Sequence, residues 1–172
     1  MPDNLIIDGY NLIYASEDLK ALMKDDLEAA RERLLAEVEE YCAREERSAI
    51  VVFDAGGRKG PASREGRTGF LEVAYTAEGQ SADSYIEKLA YSAGRTPGSA
   101  LLVTGDYDQQ KVASGAGLLR MSSREFLLVM RDSRTEALEK ARGSSRASPR
   151  VSLAERLPEE TRAALERLKR KQ

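Results

Sequence analysis

The sequence of 172 residues contains no histidine, and its only cysteine is Cys42. Without histidine, the chain has no imidazole for general acid–base catalysis, for a Ser-His-Asp triad or for binding a metal ion. A single cysteine excludes disulfides within the chain and zinc knuckles, and it is typical of a reducing compartment. Carboxylates, hydroxyls, lysine and arginine are left for chemistry. If the protein is an enzyme, we therefore expect its cofactor to be a hard cation with oxygen ligands.

Long apolar runs are also absent near the start of the chain. The first run, residues 5–7, ends at Asp8 and is too short for a signal sequence or a membrane span. We therefore expect a cytoplasmic protein with no membrane partner. The glycine-rich segment 55–69 does not match the phosphate-binding pattern Gly-x4-Gly-Lys-Ser/Thr, so no nucleotide cofactor is predicted.

The composition fits one domain of ordinary size, because 41% of the residues are hydrophobic and 33% are charged. The net charge of −2 is unevenly distributed, since residues 140–172 carry +6 and residues 1–139 carry −8. This split predicts an acidic body with a basic tail that contacts a polyanion. The alternative is a solvated basic helix without a partner.

Short apolar runs alternate with stretches of helical periodicity, which predicts an α/β fold with a parallel sheet. The runs are nearly continuous in apolar residues, as expected of strands that are buried on both faces. The five predicted strands are residues 5–7, 49–53, 70–75, 100–104 and 118–121.

The helical periodicity between these runs predicts the remaining elements and the domain boundaries. Helices are expected over 27–41, with Asp25 or Asp26 as the cap, over 82–92, shortly after Asp106, and from Ser122. Ser122 and Glu125 match a capping box. The predicted organisation is a domain over residues 1–142, a Gly/Ser/Arg-rich linker over 143–152 and a basic C-terminal helix over 153–172.

Acidic side chains follow the predicted strands. Asp8, Asp54 and Asp106 lie at or just past strand ends, and Asp83 lies at the start of a helix. The carboxyl ends of parallel strands meet at one edge of a sheet, so a strand order of 3-2-1-4-5 makes Asp8 and Asp106 neighbours. Each aspartate alone has a structural explanation as a turn residue or helix cap. Together they repel one another unless a cation such as Mg²⁺ or Mn²⁺ neutralises them.

At this point the motifs can be compared with those of a known family. Residues 6–13, Ile-Ile-Asp-Gly-Tyr-Asn-Leu-Ile, resemble the opening signature of NYN domains, within the PIN-like nuclease superfamily. Further segments resemble its second and third motifs and, more narrowly, the YacP-like group of bacterial NYN proteins. The resemblance covers residues 5–130, and the basic C-terminal helix is similar to that group as well. These segments are Thr76 with residues 82–89, residues 103–107, residues 52–55 and Gln109-Gln110.

The resemblance implies a three-layer α/β/α fold with a parallel sheet of order 3-2-1-4-5 and a metal-dependent endoribonuclease. By motif, Asp8, Asp83 and Asp106 match the metal-binding acids, and Asn11 matches the polar partner of Asp8. Asp54 matches a strand-end acid that is a further candidate metal ligand. Thr104 matches a hydroxyl beside the third motif that orients acids, water or substrate. Gln110 departs from relatives that carry another acid there, so the number of metal ions stays open.

The reaction implied by the resemblance is attack on RNA, with mRNA as the expected substrate, by water bound to Mg²⁺ or Mn²⁺. It leaves 5′-phosphate and 3′-hydroxyl ends. The alternative is a non-catalytic RNA- or ribosome-binding module in which some of the acids are structural. A phosphotransfer receiver or phosphatase is disfavoured, because Asp8 is followed by Gly9-Tyr10 and not by a second acid.

Basic residues beside the acids predict where RNA would bind. Arg58, Lys59, Arg64 and Arg67 lie in segment 55–69, which we expect to contact phosphates or to be a mobile solvated loop.

Other side chains near the acids are less specific. Tyr10 is predicted to stack on a base or to pack against the core, and Arg31 and Arg33 are expected to be solvated. An acidic body attracts RNA weakly, so we expect a partner such as the ribosome to present the substrate, with the basic tail as a contact.

Overall fold

A computed structural model describes residues 3–55, 60–93, 99–106 and 118–147 of the chain. Five helices and six strands lie within these ranges. In chain order they are β1 (Asn4–Asp8), α1 (Gly9–Ala15), α2 (Glu17–Asp25), α3 (Leu27–Glu45), β2 (Ser48–Phe53), β3 (Ser63–Gly66), β4 (Leu71–Tyr75), α4 (Ala82–Ala93), β5 (Ala100–Val103), β6 (Leu119–Met121) and α5 (Ser123–Ala147).

The strands form a single sheet of order β3-β4-β2-β1-β5-β6. The five strands predicted from the apolar runs are parallel to one another and lie in the predicted order, so the α/β fold is confirmed. The order differs in one detail, because β3 is added antiparallel to β4 at the edge. Its sequence, Ser-Arg-Glu-Gly, lies within the glycine-rich segment 55–69 that was expected to be a loop. An exposed edge strand needs no apolar side chain, so the segment carries no strand pattern.

Each face of the sheet is buried by different helices, which gives the three layers. On one face, α1, α2, α3 and α5 cover the side chains of residues such as Ile7 and Val51. There the fully buried rings of Tyr41 and Phe126 meet edge to face, with centroids 5.3 Å apart. On the other face, α4 packs against alternate residues of the same strands, including Ile6 and Val52. Successive side chains along a strand point to opposite faces of the sheet, so the position of each strand-end residue decides whether its side chain lies on the side of α4.

The helix caps agree with the sequence where they were predicted. Asp26 caps α3 by accepting from the Ala29 N–H at 2.9 Å. The capping box of α5 is present, since the Ser122 N–H donates to Glu125 at 2.9 Å and the Glu125 N–H donates to Ser122 Oγ at 3.3 Å. These bonds from Ser122 lower the pKa of Glu125. Helices α1 and α2 were not predicted.

The C-terminal part of the chain differs from the prediction in one respect. Residues 143–147 were expected to be linker but belong to α5, because one glycine within a helix costs only about 1 kcal/mol. The chain divides into the units Met1–Arg134 and Thr135–Gln172, and the described part of the second is helical. The predicted helices after Asp106 and over 153–172 lie outside the described residues. Among the described helices, none combines the length and apolar character needed to cross a membrane.

Gly9 begins α1 in direct contact with the core. A Cβ atom at this position would lie 2.3 Å from Cε1 of Phe53, whose ring is fully buried. That ring is held edge-on by Tyr10, at a centroid distance of 5.3 Å, and stacked by Tyr75 at 5.8 Å. A turn was one structural explanation for Asp8 in the sequence. The Asp-Gly pair is a strand–helix junction where only glycine leaves room for the Phe53 ring.

Arg31 is buried on α3, so the expectation that it is solvated is wrong. Its guanidinium carbon lies 5.3, 5.7 and 6.0 Å from the ring centroids of Tyr10, Phe53 and Tyr75. The guanidinium donates hydrogen bonds to the Tyr10 hydroxyl and to Glu28. Burial by itself lowers the pKa of Arg31, but the bonds to Tyr10 and Glu28 outweigh it and raise the pKa overall. The ion pair with Glu28 and the contacts with the aromatic rings offset the free-energy cost of removing water from the Arg31 charge.

We predict that Gly9→Ala lowers the free energy of unfolding by about 1–3 kcal/mol, because the new methyl group overlaps the Phe53 ring. Urea denaturation of both proteins measures the change. Gly66→Ala is the matched control, since no atom lies within 4 Å of a Cβ at that position. Equal losses in the two variants would contradict the close-packing explanation.

We predict that Arg31→Lys lowers the free energy of unfolding by about 1–3 kcal/mol, because an ammonium group does not reproduce the forked hydrogen bonds to Tyr10 and Glu28. Arg33→Lys, on the same helix, is the control; its side chain is 50% exposed and pairs with Glu37 at 3.1 Å. The same denaturation assay applies. The explanation fails if the Arg33 variant loses as much stability as the Arg31 variant.

Candidate active site

Two hydrogen bonds join Asp8 and Asn11 at the end of β1. Asp8 is 3% exposed and caps α1, and its Oδ1 accepts from the Asn11 backbone N–H at 3.0 Å. Its Oδ2 accepts from Asn11 Nδ2 at 2.6 Å. A buried carboxylate is costly unless its oxygens are hydrogen-bonded, and Asn11 supplies a donor to each of them. The structure thus brings together the acid and the polar partner that the sequence motif pairs.

Thr104 and Asp106 lie beside this pair at the end of β5. Ile7 pairs with Val103 across the parallel strands, so the next residues, Asp8 and Thr104, are neighbours. Thr104 is fully buried, and its Oγ1 accepts from the Asp106 backbone N–H at 3.1 Å. This bond fixes the bend that leaves Asp106 exposed. A buried hydroxyl that holds the backbone favours an orienting role for Thr104 over direct contact with substrate.

Gly105 lets the two strand ends approach closely. A Cβ atom on Gly105 would lie 2.9 Å from Asn11 Oδ1, so the carboxamide occupies the space that any other residue would fill. The Asn11 side chain therefore contacts Asp8 on one side and the β5 end on the other. The third motif was recognised in the sequence, but the contact of its glycine with Asn11 was not.

Asp54 follows β2 at the same edge of the sheet. Val52 pairs with Asp8, which places Asp54 two residues further along the neighbouring strand, on the same face. The loop is held by Thr76, whose Oγ1 accepts from the Ala55 N–H at 2.9 Å. Asp54 is half-buried there. Asp8, Asp54 and Thr104 all continue the strand alternation that faces α4.

Asp83 is the second residue of α4 and is exposed. Residues 76–81 link it to the carboxyl end of β4, so the start of α4 lies at the edge that carries the other acids. Ser81 caps the helix by accepting from the Ser84 N–H at 3.2 Å. The fold therefore places Asp83 at the edge that carries the other acids, on the face of the sheet that α4 covers.

The donor chemistry of this edge fits a hard cation, because carboxylate, amide and hydroxyl oxygens are the ligands that Mg²⁺ and Mn²⁺ prefer. The arrangement does not form a common ligand set, however. Within the described ranges, no three acidic or cysteine side chains are grouped so that they could hold a metal ion. The predicted metal ligands, Asp8, Asp54, Asp83 and Asp106, thus share one edge of the sheet without meeting at one point.

The cations predicted to contact RNA have partners within the chain where they are described. Arg64 forms an ion pair with Glu72 across β3 and β4. Arg67 donates to Glu32 at 2.8 Å and to Glu39 at 3.1 Å, which attaches the β3–β4 turn to α3. The bond to Glu32 makes the largest contribution to a raised Arg67 pKa.

Two of the predicted RNA contacts, Arg58 and Lys59, lie outside the described residues. Tyr10 packs edge-on against Phe53 and bonds to Arg31 through its hydroxyl, which supports the packing interpretation.

The sequence did not single out Ser123, which also lies at this site. Ser123 is 1% exposed, and its Oγ lies 3.8 Å from the point that a Cβ on Gly105 would occupy. The available signal in the sequence was the spacing of Ser123, which lies three residues before the fully buried Phe126 and so shares its core-facing side of the helix. It is a weak one, because serine at the start of a helix is ordinarily explained by capping.

Comparisons with known proteins agree with the motifs. A family model of the YacP-like NYN domain matches residues 5–170. The uncharacterised protein YacP of Bacillus subtilis (strain 168) is 38% identical over 125 residues, which is 73% of each chain. A crystal structure of Rae1 (YacP) from Bacillus subtilis is 33% identical, with a TM-score of 0.69, and covers 98% of this chain and 95% of that one. A mutant of the same protein gives 30% identity and a TM-score of 0.70, over 96% of this chain and 99% of that one.

The agreement extends over sequence and fold. NYN domains belong to a nuclease superfamily, and the family model and the solved structures match nearly the full length of this chain. The chain therefore belongs to the YacP-like NYN family, and it carries a nuclease-like, RNA-related domain.

Proposed function

We propose that the protein is a metal-dependent endoribonuclease that hydrolyses RNA, with mRNA as substrate, and leaves 5′-phosphate and 3′-hydroxyl ends. The observation that carries the proposal is the Asp8–Asn11 pair, joined through Gly105 to the Thr104–Asp106 bend. This cluster lies between β1 and β5, where the connections of the sheet change direction and α/β folds place their sites. In a chain of a nuclease superfamily, such an acidic edge favours phosphodiester chemistry.

The acids would hold the cation, with Asp8, Asp83 and Asp106 as the principal ligands and Asp54 beside them. When bound, Mg²⁺ or Mn²⁺ activates water and stabilises the charge that develops on the phosphate. The chain itself orients these groups. Asn11 donates to Asp8 and so fixes the orientation of its oxygens, and Thr104 holds the backbone of Asp106. The exposed Asp83 and Asp106 are the acids nearest to an incoming strand.

RNA binding by this body needs cations other than Arg64 and Arg67. Arg64 and Arg67 are already paired with Glu72, Glu32 and Glu39. We therefore assign phosphate contacts to Arg58 and Lys59 and presentation of the RNA to a partner, for which the translating ribosome is the proposed source. Translating ribosomes are cytoplasmic, so cytoplasmic localisation is part of this proposal. The basic residues after position 140 are the proposed contact with the partner.

A non-catalytic RNA- or ribosome-binding module is the second candidate function. One observation favours it: no three acidic side chains in the described ranges are grouped for a metal ion. In that case, the buried Asp8 serves as the cap of α1, and the exposed acids are surface charges. The two candidates differ in what an acid-to-amide substitution does, because only the enzyme loses an activity.

We predict that the purified protein cuts an end-labelled single-stranded RNA in Mn²⁺ and that Asp83→Asn lowers the cleavage rate by about a hundredfold or more, as expected for a group that holds a catalytic metal. Asp132→Asn, an exposed acid-to-amide change on α5, is the matched control and keeps the wild-type rate. Product ends are mapped to show 5′-phosphates, and EDTA abolishes the reaction.

The outcomes separate the two candidates. Cleavage that survives EDTA or Asp83→Asn contradicts the assigned site. If free RNA is not cut, the assay is repeated with translating ribosomes, and metal-dependent cuts there identify a nuclease that requires its partner. Binding without cleavage in both assays identifies the non-catalytic module.

A further inference from the structure

Ser123 carries a buried hydroxyl that the fold does not use. It is 1% exposed, and its Oγ has no hydrogen-bond partner among the residues that the structure describes. Ser122, the residue before it, already caps α5 and forms the capping box with Glu125. A buried hydroxyl without a partner is destabilising compared with a hydrogen atom in its place. Ser123 is therefore neither a helix cap nor a contributor to stability in the described contacts.

The Ser123 hydroxyl faces the active-site cluster. Its Oγ and Asn11 Oδ1 lie 3.8 and 2.9 Å from the same point above the Gly105 α-carbon. Asn11 Oδ1 is the acceptor end of a carboxamide whose Nδ2 is bonded to Asp8. A hydroxyl donor and an amide acceptor thus lie beside one small space, and no hydrogen bond joins them directly. One water molecule can bridge two such groups.

We propose that Ser123 is a positioning residue that acts on Asn11. Through one water above Gly105, its hydroxyl donates to Asn11 Oδ1 and holds the carboxamide with Nδ2 on Asp8. The carboxamide is then fixed at both ends, and rotation that would turn Oδ1 toward the Asp8 carboxylate is suppressed. The Ser123–Asn11 link stands on the geometry alone, whereas its effect on cleavage rests on the proposed function.

The link is tested by the side-chain amide signals of asparagine. The sequence contains only two asparagines, Asn4 and Asn11, so selective ¹⁵N labelling gives two assignable NH₂ groups. Asn4 lies at the opposite end of β1 and donates to the Ser99 carbonyl at 3.3 Å, which makes it an internal control. We expect Ser123→Ala to shift the Asn11 signals and to speed their exchange with water, while the Asn4 signals stay in place.

Two further serines on or next to α5 are matched controls. Ser122→Ala removes the cap and lowers the melting temperature without moving the Asn11 side-chain signals. Ser133→Ala removes a hydroxyl that bonds to Arg44 at 2.8 Å, far along the helix from Ser123, and leaves the Asn11 signals unchanged. Ser123→Ala removes a hydroxyl that is bonded only through water in this proposal, so it lowers the melting temperature less than Ser122→Ala does.

On RNA, we expect Ser123→Ala to lower kcat by about 10- to 100-fold, as removal of outer-shell partners does at other metal sites, with KM unchanged. The Ser122 and Ser133 variants keep the wild-type kcat. Unmoved Asn11 signals overturn the proposal. A full kcat alongside shifted Asn11 signals also overturns it. If the wild-type protein cuts RNA neither free nor on translating ribosomes, the proposed function fails, and the amide signals alone decide the Ser123–Asn11 link.

Discussion

The hydrogen bonds from Asn11 to the buried Asp8 carboxylate are the interaction on which the rest of this edge depends. A charge at the junction of β1 and α1 loses most of its water, so both carboxylate oxygens need donors. Asn11 supplies the two donors from one turn further along the chain. The same contacts start α1 and fix the orientation of the Asp8 oxygens. The hydrogen bonds that start α1 therefore also set the geometry of the site.

Close approach of backbones at this edge follows from that pair. Gly9 lets α1 contact the Phe53 ring, and Gly105 leaves room for the Asn11 carboxamide beside β5. Glycine is needed at both positions because a side chain would not fit, and neither residue has a left-handed backbone. The aromatic residues beside Gly9 then enclose Arg31, whose charge is offset by Glu28 and the rings. The edge is hydrogen-bonded and buried where it holds Asp8, and it is exposed where it carries Asp83 and Asp106.

The sequence predicted what depends on local pattern. Short apolar runs predicted all five parallel strands, whereas the strand order came from the resemblance to NYN domains. The edge strand β3 was missed because an exposed Ser-Arg-Glu-Gly segment has no apolar alternation. Arg31 was misjudged because its partners, Tyr10, Phe53 and Tyr75, come from three other elements. Ser123 was overlooked for a related reason, since a hydroxyl at a helix start resembles a cap until its burial is known.

The charge distribution supports the proposal that a nuclease built on this body depends on a cation and a partner. The two described cations that were predicted to contact RNA are used internally, Arg64 on Glu72 and Arg67 on Glu32 and Glu39. The edge therefore presents Asp83 and Asp106 to a polyanion with little long-range attraction to offset their repulsion. A divalent ion reduces that repulsion only at the scissile phosphate. Holding the rest of the RNA falls to whatever presents it, so selectivity on this account lies in presentation and not in base contacts by the acidic edge.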